Sequence, residues 1–197
     1  LGDVYKRQYQ SYPIHRRIDN TLMLYNKQKR LLNIVEDQVY AKEKDNRTMI
    51  NILGHIVEFR NGESGMHVHH IQTITRLLLR RLVQKTDKYD LTEKDILQII
   101  TASSLHDIGK ITIDDKILNK PGKLTDEEFA IMKTHAAAGA NMLRDLPIYQ
   151  EKKSLVHVAY QICRWHHERY DGRGYPDGLK GEDIPISAQV VALADVY

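Results

Sequence analysis

Eight side chains of metal-binding type sit at predicted helix ends or on apolar helix faces: Glu63, His67, His106, Asp107, His135, His166, His167 and Asp195. The pair His106-Asp107 offers one nitrogen and one oxygen to a single ion. Adjacent residues of a helix point about 100° apart, so the pair can grip one centre only where a helix ends or unwinds. Gly109 is expected to supply that ending as a glycine at positive φ, and Lys110 then sets a cation beside the pair. Read alone, the stretch is equally a helix C-terminus with His and Lys near the negative end of the dipole. His166-His167-Glu168 repeats the arrangement. Glu63 and His67 are four residues apart and share a helix face. Gly65 between them is costly in a helix and suggests a close backbone approach. An exposed Glu–His pair and a core His135 are the ordinary readings of those positions taken singly. Together, five histidines and three carboxylates exceed what one ion needs. Buried polar groups persist mainly when they bind something. The set suits two or three divalent ions, one carboxylate bridging. Imidazole and carboxylate without cysteine point to iron or manganese rather than structural zinc. Such a centre lowers the pKa of water and clamps both oxygens of an in-line phosphoryl displacement. Lys110 would meet the phosphate or the leaving oxygen.

Seven predicted elements position these residues. A helix over 14–44 carries Ile18, Leu22, Tyr25, Leu32, Val35 and Val39 at three- and four-residue steps, with Pro13 suited to its first turn. This narrow stripe fits a connector or a dimeric coiled coil. A second helix over 46–60 shows a broad apolar face of Met49, Ile50, Leu53, Ile56, Val57 and Phe59. Asn61-Gly62 interrupts it, and a third helix runs to about Lys85. Thr92 and Asp95 form a capping box for a fourth helix, which delivers His106 and Asp107 at its end. Residues 111–123 form a loop whose Lys120 and Lys123 would give a basic rim. Thr125 and Glu128 cap a fifth helix, in which His135 shares a face with Ile131 and Met142 and is followed by the small run Ala136–Gly139. The sixth helix spans about 151–168, burying Leu155, Val158, Ile162 and Trp165. A tightly turned loop over 170–178 follows. Ser187 is the expected N-cap of a last helix that carries Asp195. The fold class is therefore all-α: a bundle of about six to seven helices preceded by a long linker helix.

The 197 residues suit one domain with an appendage. Hydrophobic residues are 42% and charged residues 28%, as in ordinary globular chains. A net charge of +3 asks for neither DNA nor an anionic membrane. The single cysteine, Cys163, reads as a reduced core thiol, which fits a cytoplasmic location. No run approaches the roughly 20 apolar residues of a membrane span, and no secretory signal is visible. Asp3–Gln8 reads as the translation of a transposon-end adapter, so residues 1–8 are expected to have no ordered role. His15, His55, His69, His70 and His157 are expected to pack or hydrogen-bond rather than ligate.

The all-helical pattern with His106-Asp107 resembles the HD superfamily of metal-dependent phosphohydrolases. Gly174-Tyr175-Pro176, after His166-His167-Glu168 and before Ile184-Pro185, resembles its HD-GYP subgroup. The likeness covers about 49–197. It implies a cyclic di-GMP phosphodiesterase yielding pGpG or GMP. By the same likeness Asp107 bridges two ions held with His106, His135, His166, His167 and Asp195. Glu63 and His67 match the positions of a third ion, and Lys110 matches the lysine beside the scissile phosphate. Gly174, Tyr175 and Pro176 would also form a protein-contact surface. Two features depart from the family: His70 stands where it usually has Arg, and the family continues past Asp195 with a helix and a basic loop. Pro13 through Tyr25, with Arg16-Arg17-Ile18-Asp19-Asn20, resembles the end of a response-regulator receiver domain running into a linker helix, which divides the chain into 1–13 (adapter scar and receiver tail), 14–45 (linker helix and homodimer seam) and 46–197 (hydrolase domain, cut at its C-terminus). The alternatives are a catalytically silent nucleotide- or protein-binding module, and a hydrolase of another cyclic dinucleotide.

Overall fold

A computed structural model describes residues 2–62, 66–151 and 154–197, with side chains from Ile14 onward. Seven α-helices and no strand are found among the described residues: α1 (Gly2–Arg60), α2 (His67–Lys85), α3 (Glu93–Ser103), α4 (Asp115–Leu118), α5 (Asp126–Arg144), α6 (Leu155–Trp165) and α7 (Ile186–Val196). The chain divides into two compact units, Leu1–Asn46 and Arg47–Tyr197.

The described residues of the first unit are all helical. The helix starts at Gly2 rather than near Pro13, so helical backbone extends through the stretch expected to lack order. Ile18, Tyr25, Leu32 and Val39 are all more than half exposed. The two helices expected over 14–44 and 46–60 are one, because Lys44-Asp45-Asn46-Arg47 contains neither Gly nor Pro to end a helix.

In the second unit a shared core joins Ile71 and Leu79 of α2, Ile99 and Ile100 of α3, Ala140 of α5, Ile162 and Cys163 of α6, and Val191 and Ala194 of α7. The Cys163 thiol is buried and donates to the Leu105 carbonyl at 2.9 Å. The broad apolar face expected over 46–60 is mostly turned outward. Val57 is buried, while Met49, Leu53, Ile56 and Phe59 are exposed. Gly54 shows why the inner face stays narrow: a Cβ there would strike the Ser104 carbonyl.

Both expected capping boxes are present, at Thr92–Asp95 for α3 and at Thr125–Glu128 for α5. His135 shares a face with Ile131 and Met142 by spacing, yet those two are exposed, so the apolar burial expected of that face is not found. His135 is buried with Ala136, Gly139 and Ala140, small residues that let a neighbouring backbone approach. That neighbour is the 3-10 turn Ile108–Thr112. A Cβ on Gly109 would collide with the His135 carbonyl oxygen. Gly109 is not among the positive-φ glycines. Close approach, not a left-handed helix cap, is therefore what requires glycine there. Helix α6 is shorter than expected, because Ser154 caps its start and the chain turns before His166. Pro185, not Ser187, is the N-cap of α7, and the Ser187 hydroxyl instead donates to Gln161 Oε1 at 3.1 Å.

Candidate metal centre

Three buried imidazoles are each fixed by a backbone carbonyl. His106 follows the end of α3, and its Nδ1 lies 3.0 Å from the Ser103 carbonyl. His135 Nδ1 lies 2.7 Å from the Met132 carbonyl within α5. His166 Nδ1 lies 2.9 Å from the Ile162 carbonyl just past α6. A carbonyl can only accept, so each Nδ1 carries the proton and each Nε2 is left with a lone pair. All three Nε2 atoms are buried without a hydrogen-bond partner, as is Asp107 Oδ1. Buried polar atoms are normally satisfied. Such atoms, with the imidazoles held from behind, are donors suited to divalent ions.

The donors fall in two groups: Asp107, His135, His166 and His167, and then His67, His106 and Asp195. Asp107 spans them. Its Oδ1 lies 3.2 Å from His135 Nε2 and 3.7 Å from His166 Nε2. Its Oδ2 lies 3.2 Å from His106 Nε2. Asp195 Oδ1, from α7, lies 3.5 Å from both His67 Nε2 and His106 Nε2. Lys110 Nζ is 2.7 Å from Asp107 Oδ2. The imidazole rings form one continuous patch: His166 lies 4.0 Å from His167, 5.3 Å from His106 and 5.6 Å from His135.

The electrostatics follow from this crowding. Burial pushes the Asp107 carboxyl up, but His106, His135 and Lys110 outweigh it and hold the group well below the usual carboxylate range. Burial likewise opposes a charge on His106, and Asp107 and Asp195 overcome it, raising its pKa well above the ordinary value. His166 lacks that compensation; burial, then His167 and His106, depress it strongly. His167 falls to about 4 through burial and the neighbouring His135. Asp195 settles at about 2, burial being outweighed by His106. The region therefore holds Asp107 and Asp195 ionised and His166 and His167 neutral, the forms in which both kinds of side chain ligate.

Of the eight residues singled out from sequence, seven lie in these two groups. Glu63, with Gly65 beside it, falls outside the described residues. Gly174-Tyr175-Pro176 lies against the site: the Tyr175 ring stacks on His167 at 4.7 Å, and its N–H donates to the His167 carbonyl at 3.2 Å. Burial and the fields of Asp107 and Asp195 push the Tyr175 phenol up, so it stays neutral. His69 and His70 are exposed, and His157 stacks on Tyr149 at 5.3 Å. Sequence reasoning gave no role to Glu168, although it adjoins the histidine pair. Glu168 Oε1 accepts from the N–H groups of Asp177 and Gly178, at 2.7 and 3.0 Å, closing the loop that carries Tyr175. Gly174 packs so tightly on the Glu168 backbone that a Cβ has no room. Asp177 takes a paired contact from Arg164 and the Trp165 indole N–H, all at 2.7 Å.

The chain matches the HD domain model over residues 31–197. It is 45% identical over 152 residues to a Vibrio cholerae protein named "Probable cyclic di-GMP phosphodiesterase", covering 74% of this chain and 33% of that one. It is 41% identical over 151 residues to the 3'3'-cGAMP-specific phosphodiesterase 2 of the same organism, covering 77% and 27%. With the cyclic di-GMP phosphodiesterase response regulator RpfG of Xanthomonas campestris it shares 37% identity over 155 residues, 79% and 38% of the two chains. The chain thus spans about a third of the length of these relatives. With seven helices bringing His106 and Asp107 into one buried donor set, and with the match over most of its length, the chain belongs to the HD domain family.

Proposed function

We propose that this chain is the hydrolase part of a cyclic di-GMP phosphodiesterase, opening the substrate to pGpG and onward to GMP. The observation that carries the reading is Asp107, which turns one oxygen to His106 and the other to His135, buried imidazoles whose Nε2 atoms have no hydrogen-bond partner. His135, His166 and His167 would hold one ion, and His67, His106 and Asp195 the other, with Asp107 between them. Glu63 would serve a third ion. Imidazole and carboxylate donors favour iron or manganese. Bound divalent ions supply Lewis-acid activation of water and charge neutralisation at a phosphate. The chain's own residues do the rest. The Nδ1 carbonyl contacts fix the tautomer and direction of His106, His135 and His166. Lys110 offers a cation, and hence a proton, at the oxygen that leaves. Tyr175 walls the site beside His167, and Gly174, Tyr175 and Pro176 also offer a contact for a protein partner. The parent is read as a cytoplasmic response regulator that dimerises through the linker helix and binds neither DNA nor membrane.

A second reading is favoured by a specific observation: a relative at 41% identity carries the name of a 3'3'-cGAMP-specific enzyme. The test is turnover by anaerobically purified protein, given cyclic di-GMP and 3'3'-cGAMP in parallel, with products separated by chromatography. Faster linearisation of cyclic di-GMP supports the first reading and faster opening of 3'3'-cGAMP the second. Metal-loaded protein that binds either nucleotide and opens neither supports a silent binding module.

A further inference from the structure

Arg60 ends α1, and no donor group of the centre includes it. Its Nη1 donates to the Lys110 carbonyl at 2.9 Å, and its Nη2 donates to the Ile113 carbonyl at 2.8 Å. Nη2 also lies 2.8 Å from Asp115 Oδ1. In the other direction, Asn119 Nδ2 donates to the Arg60 carbonyl at 3.1 Å. Four contacts therefore fasten residues 110–119 to the last turn of α1, across sequence separations of 50 to 59 residues. The guanidinium suits this task because its donors sit in a rigid planar fork, able to span two carbonyls three residues apart.

The fastened segment begins at Lys110. Its backbone N–H donates to the Asp107 carbonyl at 2.9 Å, and its carbonyl accepts from Ile113 N–H at 3.1 Å as well as from Arg60. Both backbone groups are thereby held, and the side chain alone sets where Nζ stands against Asp107. The polar contacts of Arg60 reach residues 110, 113, 115 and 119, while His135, His166 and His167 lie on or next to α5 and α6. We infer that Arg60 is a positioning residue for Lys110. It ties the catalytic cation, and not His135, His166 or His167, to the end of α1. The inference rests on the function proposed above. It adds that loss of the Arg60 contacts changes turnover before it changes metal binding.

The test compares Arg60→Ala and Arg60→Lys with wild type in the full chain, by metal content, hydrogen exchange and turnover. In Arg60→Ala, exchange over 108–119 should rise about tenfold, with the segments carrying His135 and His166 unchanged. Metal content should stay at the wild-type value while kcat falls about 10- to 100-fold and KM holds within about twofold. Arg60→Lys should not restore kcat, because one ammonium cannot span both carbonyls. In a Lys110→Ala background Arg60→Ala should cost nothing further, as expected for residues acting through one another. Unchanged exchange over 108–119, loss of metal in step with kcat, or additive losses with Lys110→Ala would each overturn the inference. A wild type that opens neither dinucleotide fails the functional reading instead, and exchange over 108–119 still decides whether Arg60 holds the segment.

Discussion

His106, His135 and His166 each have the Nδ1 proton tied to a carbonyl about one turn back, and only the Nε2 lone pair faces the interior. That arrangement has little value in a metal-free protein, because a buried atom without a partner is costly. Asp107 is the residue on which both donor groups depend, since His106, His135 and Lys110 all contact its two oxygens. Asp107→Ala should therefore release metal from both groups, lowering retained metal at least tenfold, within the range for losing a residue that organises a site. Metal analysis after gel filtration checks this. Full retention would show that Asp107 bridges nothing. Most of the donor set was legible as residue types at helix ends: a His next to an Asp, then a His next to a His, have few other reasons to sit where apolar helices stop. Arg60 was not legible. Its partners are backbone carbonyls more than fifty positions away, and a carbonyl leaves no mark on the sequence.

At the scale of elements, the site depends on how closely α5 approaches the 3-10 turn Ile108–Thr112. Small residues on α5 were visible in the sequence as Ala136–Gly139, but their partner was not. The wrong reason was assigned to Gly109 because a helix-ending glycine and a close-packed one look the same without the neighbour. Gly109→Ala forces backbone against backbone and should destabilise the chain by about 3 kcal/mol, read as a shift in the denaturant midpoint. A shift within error would mean the two backbones have room to part. The loop that carries Tyr175 is pinned at Asp177, whose pKa is lowered chiefly by Arg164 and further by Trp165, against the opposing effect of burial. A carboxyl depressed in the folded state stabilises it above the unfolded pKa and loses that contribution as pH falls through the folded value. Asp177→Asn should therefore cost about 1 kcal/mol at pH 7. The difference from wild type should shrink as pH is lowered from ~4 towards ~2. Denaturant curves at several pH values report it, and a difference independent of pH would contradict the ion pair as its source.

For the whole molecule, helix class, the two capping boxes and the order of elements followed from periodicity, which neighbours do not disturb. Boundaries did not. Helix α1 runs through the junction expected near Asn46 because no breaker stands there, and α6 stops early because the turn that presents His166 ends it. Among the described residues no helix is long and apolar enough to cross a membrane. The exposed residues Ile18, Tyr25, Leu32 and Val39 recur at seven-residue steps, the spacing of a two-stranded coiled coil. The proposed dimer should thus become monomeric in the double variant Leu32→Asp, Val39→Asp, as read by sedimentation, with metal content unchanged. A wild type that sediments as a monomer at micromolar concentration would remove the dimer from the account.

The central claim is a centre of two ions joined through Asp107 that opens a cyclic dinucleotide. It is tested most directly by titrating Mn2+ into metal-free protein, without oxygen, while following cyclic di-GMP hydrolysis. The account predicts that turnover stays low through the first equivalent and rises to its plateau with the second. Full activity at one equivalent, or hydrolysis that persists with none, would contradict it.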